Sequence, residues 1–280
     1  MSKILVTIFM GATLLQCAAS GQQQNAYPYL PKASVVAVDS SHVRVDASDP
    51  RPLHQALDVL RLTFGWLVDY EDPIYSPTDL IDLTGPVYKA AHPNGPRLLV
   101  PRTIPFSATL TKGSANEESA ATQRTMLDQL VAAHRQIANP GEFVVNDEGS
   151  GRFAVVGISS ESSNDSGVLG FTIDLPAFDG SVEDYIQLIC QEVHNSTMTK
   201  FELGVFPYQR LQTHLVLPKS HIVARKALND ALDATGQLLY SEALYNAGDK
   251  SFFLNIRAAV RSRLDVDGRE VYQQVTTRAH

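Results

Sequence analysis

The stretch Pro52-Leu53-His54-Gln55-Ala56-Leu57-Asp58-Val59-Leu60-Arg61-Leu62-Thr63-Phe64-Gly65-Trp66-Leu67-Val68-Asp69-Tyr70-Glu71 changes its hydrophobic period part-way along. Leu53, Leu57, Leu60 and Phe64 fall at i, i+4, i+7 and i+11, which is one face of a helix. Gly65 is a stop, because glycine takes the left-handed conformation that ends helices without steric cost. Beyond it Trp66, Val68 and Tyr70 point one way and Leu67 and Asp69 the other, the period of a strand. Upstream, Val43-Arg44-Val45-Asp46 alternates as a short strand. Asp49-Pro50-Arg51-Pro52 then offers an acidic cap with proline in the first turn. The unit reads strand, helix, strand.

Working outward, the same plan recurs. Residues 72–105 are proline-rich and read as a mostly irregular insertion with a short strand at Leu98-Leu99-Val100. Phe106 to Leu110 is the next strand. Ser114-Ala115-Asn116-Glu117 has the form of a capping box for a helix bearing Met126, Leu130, Ala133 and Ile137. Phe143-Val144-Val145 and Arg152 to Ile158 make a hairpin. Ser159 to Gly167 holds no apolar residue and marks a linker, assigned to 159–169. Beyond it come a strand at Phe171-Thr172-Ile173 and a helix entered at Asp179-Gly180-Ser181. That helix carries Val182, Ile186, Ile189 and Val193, the first helix's apolar set displaced by 129 positions. A strand at Phe201-Glu202-Leu203, the run Leu215 to Ser220 in the place that Thr109 to Ser114 holds in the first half, a helix bearing Ala224, Leu228, Ala231 and Leu232, a stop at Gly236 and a final hairpin complete the half. The expected class is α+β, with two tandem β-α-β-β-type units by internal duplication at 42–158 and 170–260. Helices are expected on one face of each sheet, and 261–280 reads as a polar C-terminal tail.

Met1-Ser2-Lys3, the apolar run Ile4 to Leu15 and the small residues Ala18-Ala19-Ser20 follow the order of a secretory signal peptide, assigned to 1–20. Residues 21–41 then read as an extended tether. Leu14-Leu15-Gln16-Cys17 is the alternative, a lipoprotein box with a lipid anchor at Cys17, although Gln16 stands where a small residue is usual. The expected location is the periplasm or the extracellular space. After cleavage Cys190 is the one remaining cysteine, so no internal disulfide can form and a buried thiol is expected. The formal net charge of -7 argues against nucleic acid as a partner. No Lys/Arg cluster points to anionic lipid, and no later apolar run is long enough for a transmembrane span.

The run Val43 to Glu71, with Pro52-Leu53-His54-Gln55-Ala56-Leu57-Asp58-Val59-Leu60 followed by Phe64-Gly65 and a strand, resembles the short N-terminal (STN) domain of secretins and TonB-dependent receptors. The helix-glycine-strand step returns between Ser220 and Tyr240. The whole chain is also similar to a group of exported bacterial proteins of unknown function, through Tyr70-Glu71-Asp72-Pro73-Ile74-Tyr75, Leu98-Leu99-Val100-Pro101 and Ile189-Cys190-Gln191-Glu192-Val193. The first resemblance implies a docking module. The second implies no activity.

Motifs for chemistry do not complete themselves. Gly157-Ile158-Ser159-Ser160-Glu161 lacks the second glycine of a nucleophile elbow. Thr111-Lys112-Gly113-Ser114 inverts the phosphate-loop order, and no two of the eight histidines lie four apart on one helix. His134 reads as an edge histidine, and Asn146-Asp147-Glu148-Gly149 as a turn rather than a calcium loop. No catalytic, cofactor or metal residue is therefore assigned, and no cofactor is expected. The least ordinary segment is Asp69 to Tyr75, from which Tyr70, Glu71, Asp72 and Tyr75 are candidate ligand contacts. The leading expectation is a non-catalytic cell-envelope binding or scaffolding protein whose partner is an envelope protein or glycan. The alternative is a carboxylate-dependent enzyme acting on envelope glycans, with Glu71 and Asp72 as acid and base. The mature chain is expected to begin near Gly21 and to be soluble. Intact mass checks this, and a diacylglycerol-sized addition at Cys17 would overturn it.

Overall fold

The computed structural model describes residues 33–48, 50–113, 119–158, 167–267 and 269–276. The leader, Cys17, residues 21–32 of the tether, Asp49, the Ser114 to Glu117 box and most of the polar linker lie outside the described residues. The rest of the expected tether is not extended linker, because Ala33–Ala37 is a strand paired with His42–Ala47.

The first half opens with β1 (Ala33–Ala37) and β2 (His42–Ala47), followed by α1 (Pro52–Phe64) and β3 (Leu67–Glu71). Pro52 sits in the first turn of α1. The cap position is Arg51, which makes no side-chain cap bond. Gly65 closes it at φ 72°, and Leu53, Leu57 and Leu60 are buried as the spacing requires. The proline-rich insertion is more ordered than a proline count suggests. It holds β4 (Leu80–Asp82), α2 (Pro86–Ala91) and β5 (Leu99–Pro101), with β4 and β5 paired antiparallel. Proline is tolerated there because it starts α2 and sits at a strand end, where its missing N–H costs little. Then follow β6 (Phe106–Thr111), α3 (Ala120–Gln136), β7 (Glu142–Gly149) and β8 (Arg152–Ile158). Ser119, accepting from the Thr122 amide, caps α3.

The second half comprises β9 (Thr172–Leu175), β10 (Phe178–Ser181), α4 (Val182–Thr197), β11 (Lys200–Leu203), β12 (His214–Leu217), β13 (Ser220–Val223), α5 (Ala224–Ala234), β14 (Leu239–Asn246) and β15 (Ser251–Ala258). A reciprocal capping box between Ser181 and Asp184 starts α4, and Val182, Ile186, Ile189 and Val193 are fully buried. Residues 261–280 do not all form a loose tail. β16 (Val260–Leu264) pairs with β17 (Glu270–Gln274), and the pair lies against the end of α1, where Arg261 Nε donates to the Thr63 carbonyl. The segment 159–169 also ends differently from a linker, because Val168 and Leu169 are buried in the second-half core.

The fold is α+β, with helices packed against sheets. In the first half α1 and α3 lie between the small sheet β1-β2-β6 and β3, β8 and β7. In the second half α4 and α5 lie between the pairs β9/β13 and β10/β12 and the strands β11, β15 and β14. The two halves are not separate bodies on a tether. They join in one six-stranded sheet of order β11-β15-β14-β3-β8-β7, in which β14 and β3 run parallel. An open edge carries unpaired backbone groups, and pairing β3 with β14 removes one from each half. On β3, Val68 and Tyr70 pack with α1 and α3, while Asp69 and Glu71 face the other way, toward α5. The helices of the two halves therefore cover opposite faces of the shared sheet.

The halves repeat the order of their last three strands, β3-β8-β7 and β11-β15-β14, with the same parallel and antiparallel senses. The residues that end the first helix of each half, Gly65 at φ 72° and Met198 at φ 57°, lie 133 positions apart, about one helical turn more than the 129 read in the sequence. Leu60→Ala and Ile189→Ala, each emptying a fully buried site, are expected to cost about 2–5 kcal/mol in chemical denaturation. Near-neutral values would mean the helix faces are misassigned.

Candidate functional site

β3 is an interior strand, so both its faces are buried, and its alternation sends two carboxylates away from α1. A buried carboxylate needs a cation or hydrogen-bond donors. Glu71 Oε1 accepts from Arg225 Nε of α5 at 2.6 Å, and its Oε2 accepts from the Leu169 amide at 3.2 Å. Asp69 Oδ1 accepts from the Ser241 amide at 2.7 Å and from its hydroxyl at 3.0 Å. Both Asp69 oxygens lie 3.3 Å from Arg152 Nη1, and Arg152 Nη2 donates to Asp233 of α5 at 2.9 Å. Asp72 closes the end of the strand. Its Oδ2 accepts from Arg51 Nε at 2.7 Å and the Tyr245 amide at 2.9 Å, and its Oδ1 accepts from the Tyr70 and Tyr75 hydroxyls at 2.7 and 3.0 Å.

The candidates Tyr70, Glu71, Asp72 and Tyr75 are thus brought together, but inside the joint between the halves. All four are buried, with Glu71 and Asp72 each 1 % exposed. None of them lines either of the two surface depressions described for the chain, one between α4 and β11 and one at β1, β2 and β6. Burial and the neighbouring Asp72 hold both phenols far above the ordinary tyrosine range, so they remain donors.

The opposite face of the joint carries a second cluster, which no motif announced. Glu242 of β14 is fully buried among His54, Asp58 and Arg61 of α1. Arg61 Nη1 donates to Asp58 Oδ1 at 2.6 Å and to Glu242 Oε1 at 2.8 Å, and Arg257 Nε donates to Glu242 Oε2 at 2.7 Å. The Arg61 guanidinium also lies 4.3 Å from the centre of the Tyr240 ring and donates to the Val68 carbonyl. His54 Nε2 is 3.1 Å from Glu242 Oε1, but off the N–H direction, so the contact is ionic rather than a regular hydrogen bond. Burial alone would lower the His54 pKa. Asp58 and Glu242 outweigh it and raise it above the ordinary 6.5. Burial raises Asp58. Burial would raise Glu242 too, but His54, Arg61 and Arg257 hold it well below the usual carboxylate range. The cluster keeps a proton on its His54–Asp58 side and a charge on Glu242.

His54, Asp58 and Glu242 each place one ligand atom within 4.8 Å of the others, a spacing a divalent cation could use. Arg61 already bridges Asp58 and Glu242 at hydrogen-bond distance, so a metal would have to displace a buried guanidinium. The donor set therefore fits an ion-pair network better than a metal centre. A search for paired histidines passes over this cluster. The available signals were charges at i, i+4 and i+7 flanking the apolar face of α1, and Glu242 within Leu238-Leu239-Tyr240-Ser241-Glu242-Ala243-Leu244.

Two further groups are neutral packing elements. Burial lowers the His134 imidazole to about 4, and its ring sits edge-on to Phe106 and Phe143. Burial pushes the Cys190 thiol up to about 12. The depression beside Cys190, about 410 Å³, is lined by Gln187, Cys190, Gln191 and His194 of α4 and by Lys200, Phe201 and Leu203 of β11. No helix among the described residues is long and apolar enough to cross a membrane. Neither a family model, nor a curated protein, nor a solved structure matches the chain.

The raised His54 pKa sets the sign of a pH effect. The native state holds this proton more tightly than the unfolded chain, so its stabilisation is full below about 6.5 and fades as pH rises through the higher folded value. Urea midpoints of the wild type are expected to fall as the pH climbs above that point, and His54→Gln is expected to flatten the decline. Superimposable profiles would mean that His54 is not its source.

Proposed function

We propose that the chain is a non-catalytic binding or scaffolding protein of the cell envelope, built from two related α+β units and exported by its leader. The observation that carries this reading is the commitment of its buried carboxylates. Asp69, Glu71, Asp72 and Glu242 are each held by an arginine across or beside the joint between the halves. A general acid or base needs contact with a substrate in a cleft, whereas these groups serve cohesion. Surface features support binding. Leu83 and Leu98, joined by a backbone hydrogen bond, are 52 and 57 % exposed, and Val87 and Tyr88 of α2 are 82 and 41 % exposed, so the insertion offers apolar side chains for contact. The strand-helix-strand plan and the resemblance to short docking domains agree with such a role. The net charge of -7 speaks for a protein or neutral glycan partner rather than nucleic acid.

The test joins chemistry to stability. The purified mature chain is expected to release no reducing ends from isolated envelope glycan. Glu71→Gln, which removes the closer of the two carboxylates paired with the buried Arg225, is expected to cost about 3–5 kcal/mol. Glycan hydrolysis by the wild type, lost in Glu71→Gln without loss of stability, would overturn the proposal in favour of the carboxylate enzyme. A pull-down from envelope extract with the mature chain as bait then identifies the partner.

A further inference from the structure

Among the described residues the shared sheet ends in two unpaired edges, β7 on one side and β11 on the other. They are not equivalent. Within its half, β11 holds the place that β3 holds, the parallel neighbour of the last strand. β7 holds the place of β14, the antiparallel hairpin partner of the last strand. Among the described residues there is thus one joint, a β3-type edge taking a β14-type edge in parallel, and one edge of each type is left unpaired.

The groove beside β11 carries the comparison to side chains. The 133-residue offset that relates Gly65 to Met198 also relates His54, Leu57, Asp58 and Arg61 to Gln187, Cys190, Gln191 and His194. It relates Leu67, Val68 and Tyr70 to Lys200, Phe201 and Leu203. Those seven second-half residues are the lining of the depression between α4 and β11. In the first half the corresponding place is filled by β14, with Glu242 and Tyr240 set against His54, Asp58 and Arg61. In the second half it is open, and Gln187, Gln191 and His194 are exposed.

We propose that copies of this chain join head to tail, β7 of one copy adding in parallel to β11 of the next and entering this groove. The proposal rests on the binding reading above and names the partner as a second copy. The fit of β7 follows from strand register. Val68 pairs with Phe153 and Phe201 with Phe252, which aligns β8 with β15. Glu142, Val144 and Asn146 of β7 then stand where Tyr240, Glu242 and Leu244 stand on β14. The same alignment superimposes Ala138, φ 54°, on Gly236, φ 69°.

The substitutions are matched across the joint. Where charged Glu242 meets His54, Asp58 and Arg61, uncharged Val144 meets Gln187, Gln191 and His194. Where Tyr240 lies over Arg61, Glu142 comes opposite His194, a carboxylate against an imidazole. On the other face Asp69 corresponds to Glu202 and Asp233 to Arg135. Arg152, which bridges the two acids in the first joint, corresponds to uncharged Ser251. The bridging cation is gone, and one of the two acids has become an arginine. Each loss of charge on one side is answered on the other, which is charge complementarity with continuity from an interface the chain already makes. Because the two edges differ, the contact is heterologous and does not close at two copies.

Sedimentation velocity of the mature chain over a concentration series tests this. The wild type is expected to grow from monomer through successive multiples. Val144→Arg on β7 and Gln191→Arg in the groove change exposed or half-exposed positions, and circular dichroism checks that both variants fold. Each alone is expected to lose all self-association. Mixed in equal amounts they are expected to form a dimer and nothing larger, since one supplies an intact groove and the other an intact β7. A wild type that stays monomeric at its solubility limit would overturn the proposal, while leaving the binding reading to the envelope pull-down. Self-association retained in either single variant, or a mixture that stays monomeric, would also overturn it.

Discussion

The parallel pairing of β3 with β14 is the contact on which the rest of the molecule depends. It is short, with Glu242 opposite Tyr70 and Ala243 opposite Glu71, yet it turns two three-stranded sheets into one. Backbone hydrogen bonds alone would not fix its register, because strands can slip where side chains do not object. Here they object strongly. Glu71 and Glu242, buried on the two faces of the joint, meet Arg225 and Arg61 of the opposite half, and Asp69 accepts from Ser241 across it, contacts made in the observed register. A slipped pairing would leave a charge in the interior without its counter-ion, and the desolvation of such a charge costs several kcal/mol.

That arrangement explains where the carboxylates of the acidic stretch Asp69 to Asp72 are committed. A carboxylate poised for catalysis must reach a substrate. Glu71 spends its two oxygens on Arg225 and the Leu169 amide, and Asp72 spends its own on Arg51, the Tyr245 amide and two tyrosine hydroxyls. The same economy shapes the other face, where Arg61 takes the position between Asp58 and Glu242 that a metal ion would need. Buried ion pairs of this kind add little net stability over apolar packing, but they penalise every arrangement that separates them. The buried charges face inward, and among the described residues the surface offers strand edges, the groove between α4 and β11 and apolar side chains.

Much of the local structure was legible. The face Leu53, Leu57, Leu60 and the face Val182, Ile186, Ile189, Val193 are buried as their spacing implied, and Gly65 ends α1 in the left-handed conformation. The hairpins β7/β8 and β14/β15 lie where alternation placed them. Cys190 and His134 are buried, as a spare thiol and an edge histidine. The insertion was less legible, because β4, α2 and β5 are three to six residues long, too short for a periodic signal. The β16/β17 pair escaped for a different reason: its residues are polar, and the pair holds its place by lying on α1. The segment Asp69 to Tyr75 was legible as unusual, but not as buried. Nothing in seven residues tells a solvated strand end from an interior one.

The sequence by itself determined the longer helices and the two hairpins, and which residues on their faces are apolar, since these follow from periods of two and 3.6 residues within short windows. It also determined that the chain carries charges inside otherwise apolar segments. Only the tertiary structure decided that the two halves share a sheet, that their helices take opposite faces, and that Glu71 meets an arginine 154 positions away. The reason is one of range. Periodicity acts between neighbours along the chain, whereas the pairing of strand edges and the neutralisation of buried charges are settled between residues that only folding brings together.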